Sequence, residues 1–317
     1  MRISMIQRGF CLFALICMAS SWGCIAKNGQ QKSFQEYRKI IERQKAAAAL
    51  EEDPVKKIPE MKAGEFERLG DSYLRRGNID LAFIHYDKAL RLEPSQIRVR
   101  YKMGRLFIDK GLTEEAKKEF REILKVNSNY ALAYEGMGRV MFNTGHFEEA
   151  EKNFQQALEL DPSLWQAHNF LGIIYDRQGQ FESAIVQYKT AITLQPNQGL
   201  LFNNLGISLF LSREYDKAIR AFLEALRIEN SDQKIYNNLA LALCKLERYR
   251  EGLEAFKKAG DEASAHYNLG CVYMVAGKYK EAIESFEKAI QIKPVFYVKA
   301  HENLRRVKEA VDASSRQ

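Results

Sequence analysis

Cysteine is nearly missing from most of this sequence. Of five, Cys11, Cys17 and Cys24 lie in the opening stretch, and only Cys244 and Cys271 remain in the body. No Cys-x-x-Cys occurs and no Cys/His group has zinc spacing, which excludes a disulfide framework and a zinc module. Proline is scarce too: six in 317 residues, with Pro54 and Pro59 in one short segment. So few breaks point to helices. The sequence has no His-Glu-x-x-His, no Gly-x-Ser-x-Gly, no phosphate-binding Gly-x4-Gly-Lys-Ser/Thr and no Gly-x-Gly-x-x-Gly. The five histidines, His85, His146, His168, His266 and His301, are spread over different repeat positions, and the two that share one, His168 and His266, stand at the fourth, a packing site usually held by an aromatic. The many carboxylates are expected on solvated helix faces. The chain therefore reads as a non-enzyme with no catalytic residue, no cofactor and no metal site.

Concentrated charge is also lacking. Net charge is +7 over the whole chain. Leaving out the first 23 residues removes Arg2 and Arg8 and no acid, giving +5 with both signs interspersed. Nucleic-acid binding needs a basic face, so it is excluded as a function class. Charged residues at 28% and hydrophobic ones at 46% describe a folded chain, not a disordered one.

The opening stretch is different. No charge occurs from Gly9 to Ala26, and two arginines precede this run. A basic start, an apolar middle and a small-residue end are the parts of an export signal. Eighteen uncharged residues is also the lower edge of a membrane span. The segment "SWGC" around Cys24 resembles a bacterial lipoprotein signal, with Gly23 fitting and Ser21 and Trp22 departing from that pattern. The resemblance implies lipidation of Cys24 and cleavage before it. A retained anchor, or ordinary cleavage after Ser21 or Ala26, stays open. Ile25 stands where Asp often marks inner-membrane retention in that family. Its presence implies an outer-membrane anchor facing the periplasm.

The body repeats itself. Gly70 returns as Gly104, Gly138, Gly172 and Gly206 at steps of 34 residues, then as Ala240, and after a step of 30 as Gly270. Other positions keep the same register. One copy carries Leu69-Gly70, Tyr73, Gly77, Ala82, Tyr86, Ala89 and Pro94. Another carries Leu171-Gly172, Tyr175, Gly179, Ala184, Tyr188, Ala191 and Pro196. This pattern resembles the tetratricopeptide repeat family. It implies an all-α right-handed superhelical solenoid of about seven helix-turn-helix repeats with a C-terminal capping helix. The expected division is a signal peptide (1–23), a tether and helical spacer (24–62) and seven repeats (63–296). The repeats are 63–96, 97–130, 131–164, 165–198, 199–232, 233–262 and 263–296, followed by the cap and tail (297–317).

The departures carry information. Repeats five and six have Arg213 and Glu247 where a turn glycine is usual, and repeat six has Gly252 for alanine. Repeat six is also four residues short, which should remove about one turn from its second helix.

In the family, positions 2, 5, 9, 12 and 13 of each first helix line a concave groove. In the first three repeats these include Glu67, Asp71, Arg75, Arg98, Tyr101, Arg105, Asp109, Glu135 and Arg139, a charged set. In repeats four to seven they include Ile173, Ile207, Phe210, Leu211, Leu241, Met274 and Val275, with Cys244 and Cys271. Asn169, Asn203 and Asn237 recur at position 5. The expected site is therefore a groove for a peptide or helix of a protein partner, built from Asn169, Ile173, Asn203, Ile207, Phe210, Leu211, Asn237, Leu241 and Met274. The competing reading is that these residues pack on each other or on the C-terminal helix. The family's clamp for chaperone tails needs Lys at position 5 and Asn at position 9, and repeat one has Glu67 and Asp71. Cys244 and Cys271 fall on adjacent first helices, where a disulfide or two packed thiols are both open.

The short sixth repeat, the seventh repeat and "AHENLRR" together resemble the TadD family of lipoproteins in tight-adherence (Flp) pilus assembly. This implies a lipid-anchored scaffold whose partners are pilus or secretin components. A type IV pilus secretin-pilot lipoprotein, and a periplasmic adaptor in cell-envelope synthesis or division, are the alternatives.

Overall fold

The computed structural model describes residues 61–294 and 298–315. Cys24, the signal segment and the spacer before Met61 lie outside these residues. The described chain is fifteen α-helices without a strand. The first helices of the repeats are α1 (Ala63–Arg75), α3 (Ile97–Asp109), α5 (Ala131–Asn143), α7 (Trp165–Arg177), α9 (Gly199–Leu211), α11 (Gln233–Lys245) and α13 (Glu262–Ala276). The second helices are α2 (Ile79–Leu92), α4 (Thr113–Val126), α6 (Phe147–Leu160), α8 (Phe181–Leu194), α10 (Tyr215–Ile228), α12 (Tyr249–Ala259) and α14 (Tyr279–Ile292), and α15 (Val298–Ser315) follows. No described helix is long and apolar enough to cross a membrane.

Six of the seven hairpins are closed by a contact that only a missing side chain permits. A Cβ on Gly70 would lie 2.5 Å from the Tyr86 ring, one on Gly104 2.7 Å from Phe120, and one on Gly206 2.5 Å from Phe222. The second helix thus presses an aromatic face onto bare backbone of the first. On that second helix the buried stripe runs with spacing four and three, as in Ala82, Tyr86 and Ala89. Such a stripe covers one face of a helix, and burying it against the neighbouring helix is what makes the hairpin stable.

The turn between the two helices needs a left-handed residue. Gly77, Gly111, Gly145, Gly179 and Gly277 hold φ between 73° and 83°. The amide of the next residue then reaches back to the first helix, as Leu112 N–H does to the Phe107 carbonyl at 2.8 Å. Arg213 and Glu247 take the same conformation, at φ 66° and 60°, although they carry side chains. Helix starts are fixed by short side chains where the loop allows: Asn78 accepts from Leu81 N–H and Asp261 from Ser264 N–H.

Packing groups these helices into two compact units, divided between Leu171 and Gly172. In the unit ending at Leu171, hairpins α1–α2, α3–α4 and α5–α6 stack in order. Phe83 packs against Phe107 between the first and second of them. In the unit beginning at Gly172, α9–α10, α11–α12 and α13–α14 stack likewise, and α15 packs on α14 and α13. Its core joins Leu209, Phe222, Ala240, Phe256, Leu269, Phe286 and Val307.

Repeat six shows how its irregularities compensate. Its second helix has 11 residues, whereas the other second helices have 14. Ala240 adds a methyl where the other repeats have glycine, and Gly252 removes one from the facing helix. The Sγ of Cys244 fills that space, 2.5 Å from where a Gly252 Cβ would be.

Candidate functional site

The candidate surface is the row of first-helix side chains at the groove positions. It differs between the two units.

In the unit ending at Leu171 the charged row is an internally paired network. Glu67 is buried at 4% exposure. Its carboxylate accepts from Arg98 and from Lys102, both at 2.7 Å, and Lys102 also bridges to Asp71 at 2.7 Å. The Tyr86 hydroxyl donates to Asp71 at 2.7 Å. Burial pushes the Glu67 carboxyl up, but the Arg98 and Lys102 bonds outweigh it and hold the group below its ordinary value. Glu135 is buried as well. Its carboxylate accepts from the Tyr101 hydroxyl at 3.3 Å, and burial, only partly offset by Arg139 and Arg105, raises its pKa. The expectation that the carboxylates are solvated therefore fails at Glu67 and Glu135. Glu67 meets donors of the next repeat and Glu135 a donor of the preceding one, which makes their burial tolerable. Asn169, at position 5 of α7, is buried too, at 6%. It belongs to this unit and not to the surface proposed for the later repeats.

In the unit beginning at Gly172 the expected apolar row splits in two. Phe210 and Leu241 are 8% and 5% exposed, and Cys244 and Cys271 are equally deep. These four are core, which corrects the expectation of an exposed apolar lining at Phe210 and Leu241. Packing of each first helix on its neighbour covers position 12 in α9 and α11 and position 9 in α11 and α13. Ile173, Asn203, Ile207, Leu211, Asn237 and Met274 are half-buried and form the part of the row that solvent reaches. Ile173, Ile207 and Met274 rest directly on the core cluster. Cys244 and Cys271 are free thiols, and burial pushes the Cys244 thiol up to about 12. Packed thiols, and not a disulfide, occupy this place.

The recurring asparagines prove to be structural in part. Asn238 donates its amide N–H to the Asn203 side-chain oxygen at 2.9 Å. Lys102 makes the equivalent contact to Glu67 in the other unit. Asn303 of α15 donates to the Tyr267 hydroxyl at 3.3 Å and lies 3.7 Å from the Cys271 Sγ. In the first two cases position 6 of one first helix reaches back to position 5 of the preceding first helix, and Asn303 of α15 does the same for Tyr267 at position 5 of α13. Sequence reasoning missed this position. The signal was the doublet Asn237-Asn238, whose second member is the clasp. In the third rung the Asn237 side-chain oxygen is buried with no partner.

Two histidines noted at a packing position fit that role. The His168 ring meets the Pro162 carbonyl at 3.1 Å, and His266 is half-buried beside Glu262. Among the described residues no group of three His, Cys, Asp or Glu side chains could hold a metal.

Comparison with known proteins agrees with this architecture. Residues 32–268 match the family described as "Cilia and flagella-associated protein 70 C-terminal domain". Residues 263–296 match the tetratricopeptide repeat family. Among solved structures, the C-terminal part of a TPR repeat-containing protein from Cytophaga hutchinsonii aligns with TM-score 0.56 at 17% identity, over 75% of this chain and 98% of that one. A tetratricopeptide repeat protein from Parabacteroides merdae ATCC 43184 aligns with TM-score 0.51 at 16% identity, over 78% and 98%. YrrB, described as a TPR protein with an unusual peptide-binding site, aligns with TM-score 0.49 at 23% identity, over 60% and 97%. No curated protein matches the chain. The 34-residue hairpins, the glycine–aromatic contacts and the extent of the family match together mean that the chain belongs to the family of the cilia and flagella-associated protein 70 C-terminal domain and is built of tetratricopeptide repeats.

Proposed function

We propose that the chain is a non-enzymatic scaffold that holds a segment of a protein partner on the first-helix row of residues 172–315. One observation carries this reading. Ile173, Ile207, Leu211 and Met274 remain half-exposed on helices with almost no charge on that face, while the second helices carry the charged residues. Apolar side chains standing together in solvent mark an interaction surface. Asn203 lies between them in sequence; Asn238 occupies its side-chain oxygen, and its amide N–H is the donor left for a partner's backbone carbonyl. Phe210 and Leu241 act as the floor.

The finer reading places the scaffold at the cell envelope. Cys24 carries a lipid, the anchor lies in the outer membrane facing the periplasm, and the partner is a pilus or secretin component. Its support is the lipoprotein-like "SWGC" and the likeness of the short sixth repeat and "AHENLRR" to the TadD family. The family match covers residues 32–268 and supports the scaffold class without naming a partner.

The test uses photo-crosslinking side chains at Ile207 and Met274, together with Ile207→Glu and Met274→Glu. Position 210 and position 241 are unsuitable, because charge there would disrupt the core. The expected result is one crosslinked partner from the envelope, lost in both Glu variants, with their helicity unchanged. Partner recovery unaffected by either substitution would overturn the surface. Mass spectrometry of the mature N-terminus tests the anchor independently: a diacylated Cys24 is expected, and an unmodified or absent Cys24 rules it out.

A further inference from the structure

Position 12 of the first helix is apolar in every repeat but one. It is Leu74, Ile108, Phe142, Phe210, Cys244 and Met274, and in α7 it is Asp176. Asp176 Oδ2 accepts from the Tyr188 hydroxyl of α8 at 2.9 Å. The Ser208 hydroxyl of α9 lies beside the carboxyl and favours its charged form. Its other oxygen, Oδ1, is out of solvent's reach and has no hydrogen-bond partner. Tyr188 and Ser208 are themselves fully buried, and Ser208 also donates to the Phe181 carbonyl at 3.3 Å.

No cation is paired with this carboxyl among the described residues. From α8 only the Tyr188 phenol faces it. From α9, which contains no charged residue, only the Ser208 hydroxyl does. On its own helix the adjacent charged residue is Arg177, which is exposed at the helix end. An ionised carboxylate here would leave Oδ1 as a buried, unmatched negative oxygen. A carboxylic acid instead places a proton in the gap and loses nothing at Oδ2.

We propose that Asp176, Tyr188 and Ser208 form a proton-operated contact that tightens the packing of the end of α7 from Gly172 onward on α8 and α9 when the carboxyl is protonated and loosens it when the carboxyl ionises. Burial, only partly offset by the Ser208 and Tyr188 bonds, pushes the Asp176 carboxyl up to about 6. The sign follows. The folded chain holds this proton more tightly than the unfolded chain. The contact is therefore fully stabilising below the ordinary aspartate range and weakens as pH rises through about 6. Ile173 and Ile207 flank the contact in sequence, so the surface residues they provide would loosen with it.

The carboxyl carbon of Asp176 in the full chain, assigned sequentially by NMR, should titrate near pH 6. Titration within the ordinary aspartate range would overturn the proposal. Thermal unfolding between pH 5 and 8 provides the second arm. The wild-type midpoint should fall with rising pH more steeply than that of Asp176→Asn, or of Asp176→Leu, which restores the apolar residue type of the other repeats. Either folded variant suffices, because neither can titrate. Equal slopes for wild type and variant would also reject the contact, since Asp176 is the only titratable group by which the two differ.

Discussion

At the scale of single residues, the fold depends on a few positions where side-chain size or backbone geometry leaves no choice. Gly172 is one. A Cβ there would stand 2.6 Å from the Tyr188 ring, a distance real Cβ atoms do not tolerate. Gly172→Ala gains about 1 kcal/mol of helix propensity. It should still lose about 1–3 kcal/mol overall, because Tyr188 is fully buried and has no room to withdraw. Chemical denaturation would show this as a lower midpoint with an unchanged slope. The turn residues act the other way. Arg213 and Glu247 hold left-handed backbone that costs a residue with a Cβ about 1 kcal/mol. Arg213→Gly and Glu247→Gly should each raise stability by about that amount, measured by the same denaturation.

At the scale of helices, the clasp from position 6 to the preceding position 5 sets the spacing of successive repeats. Lys102 is the strongest case, since it serves Glu67 and Asp71 together. Lys102→Ala leaves Glu67 buried with Arg98 alone, and should cost about 1–3 kcal/mol. The pH dependence should change in a defined sense. Glu67 and Asp71 have lowered pKa values in the folded chain, so their contribution is present above the ordinary carboxylate range and is lost as pH falls through their folded values. Wild type should therefore lose stability on acidification below about pH 4.5. Lys102→Ala should lose less over that interval, which unfolding curves from pH 3 to 7 would record. Asp176 has the opposite sign, because it has no cation. Glu67 and Asp71 on one first helix and Asp176 on another thus respond oppositely to pH according to their partners.

At the scale of the molecule, repetition gives each hairpin a neighbour to cover its apolar face, and the last one needs a substitute. Helix α15 supplies it: Ala300 and Val307 are buried, and Asn303 takes the place that Asn238 has in the sixth repeat. Deleting residues 298–317 should uncover the Tyr267–Cys271 face of α13. The expected results are a lower melting temperature and new binding of an apolar dye, with most helicity kept, since each repeat's own contacts survive. Loss of all helicity would mean instead that the stack folds as one indivisible unit.

How much of this was legible beforehand follows from the kind of contact involved. The period, the all-α class, the glycine turns and the aromatic stripe are local or recur at fixed spacing, so the order of residues alone determined them. The short second helix of repeat six follows directly from its missing four residues. The candidate surface was only partly legible. Position 9 is half-exposed at Ile207 and buried at Leu241, although both residues are aliphatic and occupy the same register. Their fate depends on how closely the next hairpin packs. Likewise Glu67 and Asp176 look like ordinary surface acids in the sequence. What decided between a paired anion and an unpaired acid was whether the neighbouring helix brought Lys102 or Ser208 to it, and only the stacking of one hairpin on the next settles that.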